Sequence, residues 1–281
     1  MRDGRAKTRT LCPACDSLRT YVYAWPKGLR YDRCADCACT YRCYDHVHSY
    51  DDTQPYRTPA DDLSGFLREP MTDQRSREWK WQYANVLMLL RRHRFAKGAR
   101  ALDVGCGPSK LLRYLQHHHG FDVRGVEPSL TEHIRDPFPI FAGTLQEYAA
   151  TSPEPLGLIT LNHVIEHTPD PLAVMRTALG LLAPEGLLVV ATPNIGAPNR
   201  RIRNKLSKMG IDPSPWKTLD APKHVILFTP RALRRLLVRA GADIVELATW
   251  TRRKTWNIIA GRLRDLLGMG ADTYAVARRA R

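Results

Sequence analysis

No apolar run in this 281-residue chain approaches the ~18 consecutive residues that a membrane-spanning helix needs. The first residues, MRDGRAKTRTLCPAC, are basic but pass straight into cysteines instead of the apolar stretch of a secretory leader, so the expected compartment is the cytoplasm. No internal repeat is apparent, which sets aside a stacked-repeat architecture. Acidic residues are scarce beside basic ones: 28 Asp and Glu against 43 Lys and Arg give a formal charge of +15. The arginines are spread along the chain, and nucleic acid, an anionic membrane surface or a phosphorylated substrate would each suit such a charge. Otherwise the composition, 43% hydrophobic and 25% charged, is that of a globular chain long enough for one large domain and a small appendage.

Cysteine is nearly absent from most of the chain. Six of the seven fall between residues 12 and 43, and Cys106 stands alone outside that window. Without an export signal, such clustering favours a metal over disulfides. Cys12-x2-Cys15, eighteen intervening residues and Cys34-x2-Cys37 match a tetrahedral four-thiolate Zn(II) site. Protein sulfur fills all four positions and leaves none for water, so the role expected is structural. Between the pairs, LRTYVYAWPKGLRYDR alternates polar and apolar residues around Pro26-Lys27-Gly28, as a hairpin does. Residues 1–45 thus resemble a zinc ribbon. Cys39 and Cys43 have no assignment: either could substitute as a ligand or remain a free thiol.

Residues 46–70, rich in Asp, Pro and Tyr, read as a linker into a domain over 71–281. A helix is expected over SREWKWQYANVLMLLRRHRF, where Trp79, Tyr83, Val86, Leu87, Leu90 and Phe95 recur at helical spacing. Strands and helices then alternate: ARALDV, FDVRGVE, PFPIFAGT, LGLITLNHV and GLLVVATPN are apolar strands, with amphipathic helices between several of them. That order predicts an α/β fold with a doubly wound, mostly parallel Rossmann-like sheet covered on both faces. DTYAVARR is expected to be a short edge strand, and residues 194–223 a long insertion of the size that usually forms a functional lid.

The first of these strands ends in Asp103-Val104-Gly105-Cys106-Gly107-Pro108-Ser109. The dinucleotide pattern G-x-G-x-x-G asks for a small residue at position 110, where Lys110 stands, and Asp103 would repel a pyrophosphate. A cationic ligand head tolerates that acid. S-adenosylmethionine has such a head, and Glu127, twenty residues past Gly107, is placed to accept from the two hydroxyls of its ribose.

ALDVGCGPS, GVEPS, LNHVIEHTPDP, LAPEGLLVVATPN and HVILFTPRALRRLLVRAG, in this order and spacing, resemble the class I S-adenosylmethionine-dependent methyltransferases. Within them the chain is most similar to the branch of ubiquinone-biosynthesis O-methyltransferases and sugar and natural-product methyltransferases. The resemblance covers roughly residues 80–281, and some members also carry an N-terminal cysteine-rich zinc module. It implies S-adenosylmethionine contacts from Asp103, Gly105, Cys106, Gly107, Glu127, Asn162 and His163. Thr144 and Leu145 would lie on the adenine side, although the acid usual after the third strand is missing there.

Methyl transfer to a hydroxyl needs a base within hydrogen-bond reach, and His163, His167 and His224 are the candidates. Arg200, Arg201, Arg203, Lys205 and Lys208 in the insertion could grip an anionic small-molecule acceptor, such as a nucleotide-sugar or a carrier-linked intermediate, or could line a solvated helix face. Three other readings compete. An RNA methyltransferase would use the ribbon, with Tyr21, Tyr23, Trp25, Lys27 and Arg30, to hold RNA. WTRRKTWNIIAGRLRDLLGMG, basic with an apolar face, could make peripheral membrane contact. A ribbon-bearing interaction protein could have lost the activity altogether. His163-Val164-Ile165-Glu166-His167 also spells a zinc-peptidase signature. Pro169 and Pro171 deny it the continuous helix it needs, and no third ligand is evident in the sequence.

Overall fold

The computed structural model describes residues 11–43, 86, 89–96, 98–107, 109–129, 138–250 and 268–280. Thr20–Ala24 (β1) and Tyr31–Cys34 (β2) form the expected hairpin, joined by a 3-10 turn at Pro26–Gly28. Thr40–Arg42 (β3) adds antiparallel to β2.

The main sheet has seven strands: Arg100–Val104 (β4), Asp122–Val126 (β5), Ile140–Phe141 (β6), Leu156–Asn162 (β7), Leu182–Pro193 (β8), Ala242–Trp250 (β10) and Asp272–Arg279 (β11). Their spatial order is β10-β11-β8-β7-β4-β5-β6, parallel from β8 to β6 and antiparallel at β10 and β11. The doubly wound, mostly parallel sheet is therefore present. Its central strands read as unbroken apolar runs because both of their faces are covered. Leu102, Leu158, Ile159, Leu161, Leu188 and Val190 are all buried, each worth about 1.5–3 kcal/mol of apolar burial.

The helices start and stop where local chemistry dictates. Lys110–His119 (α1) ends on left-handed Gly120, whose N–H caps the carbonyls of Gln116 and Leu115. Leu145–Ala150 (α2) opens with a capping box between Thr144 and Glu147. Pro171–Leu181 (α3) has Asp170 as N-cap, accepting from the Ala173 N–H, with Pro171 at the first position. Pro198–Lys208 (α4) lies within the insertion, and Pro230–Arg239 (α5) is capped by Thr229. No helix among the described residues is long and apolar enough to cross a membrane.

The edge-strand expectation for DTYAVARR is corrected. β11 lies between β8 and β10, and its residues Asp272–Ala277 are buried. Tyr274, Ala275, Val276 and Ala277 are small or apolar enough to be covered on both faces, so the polar-apolar alternation does not mark an exposed side.

The hairpin region is built into the rest of the molecule. Ile226–Leu227 (β9), from the far end of the chain, pairs antiparallel with β3 and completes a sheet of order β1-β2-β3-β9. Cys12, Cys34, Cys37, Cys39 and Tyr41 share one apolar core with Val225, Phe228, Leu233, Leu236 and Leu237. The Thr229 hydroxyl donates to the Cys37 carbonyl at 2.7 Å, and Arg239 reaches the Pro13 carbonyl and the Asp16 carboxylate.

Candidate functional site

The chain leaves β4 toward one side of the sheet and β7 toward the other, which opens a crevice above the carboxyl ends of these two strands. The glycine turn, Glu127 and the loop after β7 meet there. The Gly107 N–H donates to Glu127 Oε2 at 2.9 Å, and the Ser129 N–H to Oε1 at 2.9 Å, so two backbone donors fix the carboxylate. Gly105 has φ +65°, and a Cβ there would stand 2.7 Å from Val164 Cγ2, where the loop after β7 packs onto the turn. Gly107, at φ +48°, has open space beside it. Cys106 is buried under β5, against Gly125, so its side chain faces the core. The Ser109 hydroxyl is buried and has no hydrogen-bond partner.

Asp103 is buried and accepts from the Thr160 hydroxyl at 2.6 Å, directly across the β4–β7 ladder. Burial pushes its carboxyl up to about 7; the Thr160 bond opposes this and the Glu127 charge adds to it. Thr144 is taken up by its capping box, and Leu145 is buried in the core beneath it.

Beyond β7 the histidines gather. Asn162 ends the strand, and His163, at φ +58°, donates its N–H to the Ala191 carbonyl at 2.8 Å. His163 Nδ1 lies 3.2 Å from Glu166 Oε1, and the Thr192 hydroxyl donates to Glu166 Oε2 at 3.0 Å. Burial raises the Glu166 carboxyl, but the bond from His163 and the charge of that histidine oppose it, leaving the group below its ordinary range. His167 Nδ1 contacts the Lys223 carbonyl at 2.9 Å. A carbonyl only accepts, so Nδ1 carries the proton and the lone pair of the neutral ring is on Nε2. The ring of His224 lies 4.9 Å from that of His167, centroid to centroid. Burial lowers His224 to about 4, the Glu166 charge opposing, so His224 is neutral near pH 7. Its Nδ1 is buried without a partner.

Glu166, His167 and His224 each offer a donor atom within 4.8 Å of the others. His224, 57 positions beyond His167, thus joins Glu166 and His167, whereas His163, the first histidine of His-Val-Ile-Glu-His, is not among the three. The five residues form no α-helix. Ile165–His167 is a single 3-10 turn before the prolines.

The sulfurs of Cys12, Cys15, Cys34 and Cys37 also lie within 4.8 Å of one another, with contacts of 3.5 Å (Cys12–Cys37), 3.4 Å (Cys15–Cys37) and 3.7 Å (Cys15–Cys34). A tetrahedral four-thiolate zinc site, with Zn–S near 2.3 Å, requires sulfur separations of ~3.8 Å. Left-handed Asp16 and Ala38 tighten the two C-x2-C turns. Cys39 is buried against Cys12 and Cys37, while Cys43 is half-buried.

Of the basic side chains in the insertion, Arg203 pairs with Asp212 and Arg200 is half-buried, whereas Arg201, Lys205 and Lys208 are exposed. In the ribbon, Arg30 pairs with Asp32, and Tyr23 packs edge-on to Trp216 with Arg33 over its ring. Tyr21 and Trp25 are exposed. Most of the helix expected over residues 76–95, and residues 251–267 of the segment with the C-terminal membrane expectation, lie outside the described residues.

Thr160, Thr192 and Tyr31 escaped the sequence reading. The two threonines had a signal, each being a lone hydroxyl inside an apolar strand. Tyr31 had none. Its hydroxyl donates to the His224 carbonyl at 2.7 Å across 193 positions.

A family model described as a methyltransferase domain matches residues 71–247, more than half of the chain. A ubiquinone biosynthesis O-methyltransferase of Neisseria meningitidis is 23% identical over 180 residues, which cover 60% of this chain and 72% of that protein. A trans-aconitate 2-methyltransferase of Methylobacterium radiotolerans is 29% identical over 154 residues, 51% of this chain and 58% of the relative. Among solved structures, a cyclopropane synthase of Mycobacterium tuberculosis superposes with a TM-score of 0.53 at 16% identity, covering 84% of this chain and all of that one (100%). The plantazolicin methyltransferase BamL, solved with a triazolic desmethylPZN analogue and SAH, gives 0.52 at 12% identity over 83% of this chain and 96% of its own. These likenesses show the fold.

Proposed function

The chain belongs to the methyltransferase-domain family and is an S-adenosylmethionine-dependent methyltransferase, and from that premise we propose that it methylates an oxygen of a small-molecule acceptor. The observation that carries the acceptor chemistry is the Glu166–His167–His224 cluster beside the loop after β7. When bound, S-adenosylmethionine supplies a methyl group already activated as a sulfonium. Three features fit it: a carboxylate held by two backbone donors, an open glycine at 107 and the unpartnered Ser109 hydroxyl. Glu127 would hold the ribose hydroxyls, while Asp103, Gly105 and Gly107 would hold the methionine portion, with Asn162 and His163 along the methyl-donor side.

His167 is the base we assign. Its Nδ1 proton is committed to the Lys223 carbonyl, so Nε2 takes the acceptor's proton as the hydroxyl is methylated. Glu166, buried and ionised, stabilises the imidazolium that results. His224 packs on His167 and shapes the pocket. The relatives named for ubiquinone-biosynthesis O-methylation and for trans-aconitate support a small acceptor. A structural zinc ion on Cys12, Cys15, Cys34 and Cys37 completes this reading, because the sulfur spacing fits a four-thiolate ion and leaves no catalytic position.

The test is to incubate the protein with labelled S-adenosylmethionine and a protein-free small-molecule extract, then identify the methylated product. An O-methyl product is expected. Labelling only of an RNA fraction assayed in parallel, or a methyl group on nitrogen or carbon, would refute the reading. With the acceptor in hand, His167→Ala should lower kcat by about 10²–10⁴-fold, the usual worth of a general base, while S-adenosylmethionine binding is unchanged. An unaltered kcat would remove His167 from the mechanism.

Asp103 supplies a separate expectation. Its carboxyl is raised to about 7, so the stability that its neutral form contributes is complete below about pH 4 and is lost as pH rises through 7. A cationic head favours the ionised form, so binding releases a proton. Affinity for S-adenosylmethionine should fall as pH drops below 7, by up to ~10-fold per unit. Calorimetry across pH 6 to about 8 reads this directly. Asp103→Asn should flatten the profile, and an equally steep profile in that variant would exclude Asp103 as its source.

A further inference from the structure

α4 is turned inside out for a helix that faces water. Ordinary surface helices bury an apolar stripe and expose polar residues. Here the buried positions are polar: Asn204 is 2% exposed and Ser207 7%, whereas Ile202 is 62% exposed, Leu206 38%, Met209 59% and Ile211 61%. The inverted face is held in place. The Ser207 hydroxyl donates to the Arg203 carbonyl and sits 2.8 Å from Asp212 Oδ2, the Trp216 N–H donates to Ser207 Oγ at 3.0 Å, and Thr218 bonds Asn204. Rotating the helix to hide its apolar side would break all of these, so the exposure is built in.

We propose that α4 and the turn after it form a docking surface for an anionic phospholipid membrane. Ile202, Leu206 and Met209 are spaced i, i+4, i+7 and so form one stripe along a helix of ~16 Å. Exposed Arg201, Lys205 and Lys208 flank that stripe. Residues 194–211 contain no Asp or Glu, and Asp212, the next residue, is occupied by Arg203 and Ser207. An apolar stripe bordered by cations is what lies in a lipid interface, the apolar side chains entering the acyl boundary and the cations meeting the headgroups. Lys208 also lies 5.2 Å from the Tyr23 ring centroid, and Trp25, two residues on, is 57% exposed, an aromatic of the kind that settles at the headgroup level. Docking here would bring the insertion after β8, and the histidine pocket beside it, to the membrane surface.

The test is co-sedimentation of the full chain with vesicles of phosphatidylcholine alone and of phosphatidylcholine mixed with phosphatidylglycerol, at low and high salt. The chain should pellet with the anionic vesicles, and high salt should release most of it. Lys205→Glu with Lys208→Glu should cut that partition by at least ~25-fold, about fivefold for each cation lost. Ile202→Ser with Met209→Ser should cut it about tenfold or more even at low salt. Affinity for S-adenosylmethionine, measured on the same samples, should stay at the wild-type value in both variants, which reports that they fold. Failure of the wild-type chain to pellet, or equal pelleting of either variant, would overturn the proposal. So would a wild-type dimer that Ile202→Ser with Met209→Ser converts to monomer, because a second copy would then be the partner of the stripe.

Discussion

Chelation of the zinc ion proposed for the four-cysteine cluster, or Cys37→Ser, will unfold residues 11–43 and slow methyl transfer by about 10²-fold while S-adenosylmethionine binding survives. A unit of this size cannot bury enough apolar surface to fold unaided. Structural zinc in small domains is worth about 10 kcal/mol or more, comparable to the whole stability of an ordinary domain. The loss passes to the pocket along named bonds. With the ribbon gone, β9 loses its partner β3, the Val225 carbonyl loses the Arg42 N–H, the His224 carbonyl loses the Tyr31 hydroxyl, and Thr229 loses the Cys37 carbonyl. His224 is then held beside His167 only by the Val225 N–H bond to the Glu166 carbonyl and the Lys223 carbonyl bond to His167, and misplacement by about 1 Å in a catalytic pocket can cost ~10²-fold. Glu127, Gly107 and Asp103 stand on β4, β5 and their turn, which pair only within the other sheet. Amide exchange should therefore show residues 11–43 and 220–229 deprotected together, with β4, β5 and β7 unchanged. Retained protection of 11–43 after metal removal would show that the cluster holds without an ion. Equal loss of cofactor binding would show that the coupling is global.

This coupling marks the boundary of what the sequence discloses. C-x2-C pairs and the twenty-residue step from Gly107 to Glu127 are local devices: each follows from a turn and a strand of fixed length, so spacing alone locates them. The doubly wound sheet was legible for the same reason, since continuous apolar strands alternating with helices permit few other arrangements. Contacts that depend on which strand lies beside which were not legible. β9 is two residues long, too short to carry a periodicity, yet it joins the ribbon to the pocket. Tyr31 looks like any hairpin aromatic until His224 arrives beside it. The histidine pocket was half visible: His163, Glu166 and His167 stand together in the sequence, but the partner that makes them a cluster comes from beyond the insertion. The insertion itself was read by charge. What charge could not show is that Asn204 and Ser207, not Ile202 and Met209, face the protein.

Glu127→Ala will weaken S-adenosylmethionine binding by roughly 10²–10⁴-fold, the equivalent of two charge-assisted hydrogen bonds at about 1.5–3 kcal/mol each. Apart from this direct loss, the carboxylate already holds the turn in shape: Gly107 and Ser129 each donate a backbone N–H to one of its oxygens. Its removal therefore frees both donors as well as the ribose contacts. Glu127→Gln separates charge from shape. The amide keeps one acceptor oxygen but must turn its NH2 toward either the Gly107 or the Ser129 N–H, donor against donor, so the nominally conservative change should cost nearly as much as alanine. Glu127→Asp keeps the charge on a chain one methylene shorter, which cannot span both donors, and should fall between wild type and Gln. The order wild type, Asp, Gln, Ala in dissociation constant by calorimetry is the expected result. The unliganded melting temperatures should stay close together, because Glu127 is only half-buried and the apolar core lies elsewhere. Wild-type affinity in Glu127→Gln would mean that the ribose hydroxyls are held by other groups, and would shift the cofactor site away from the end of β5.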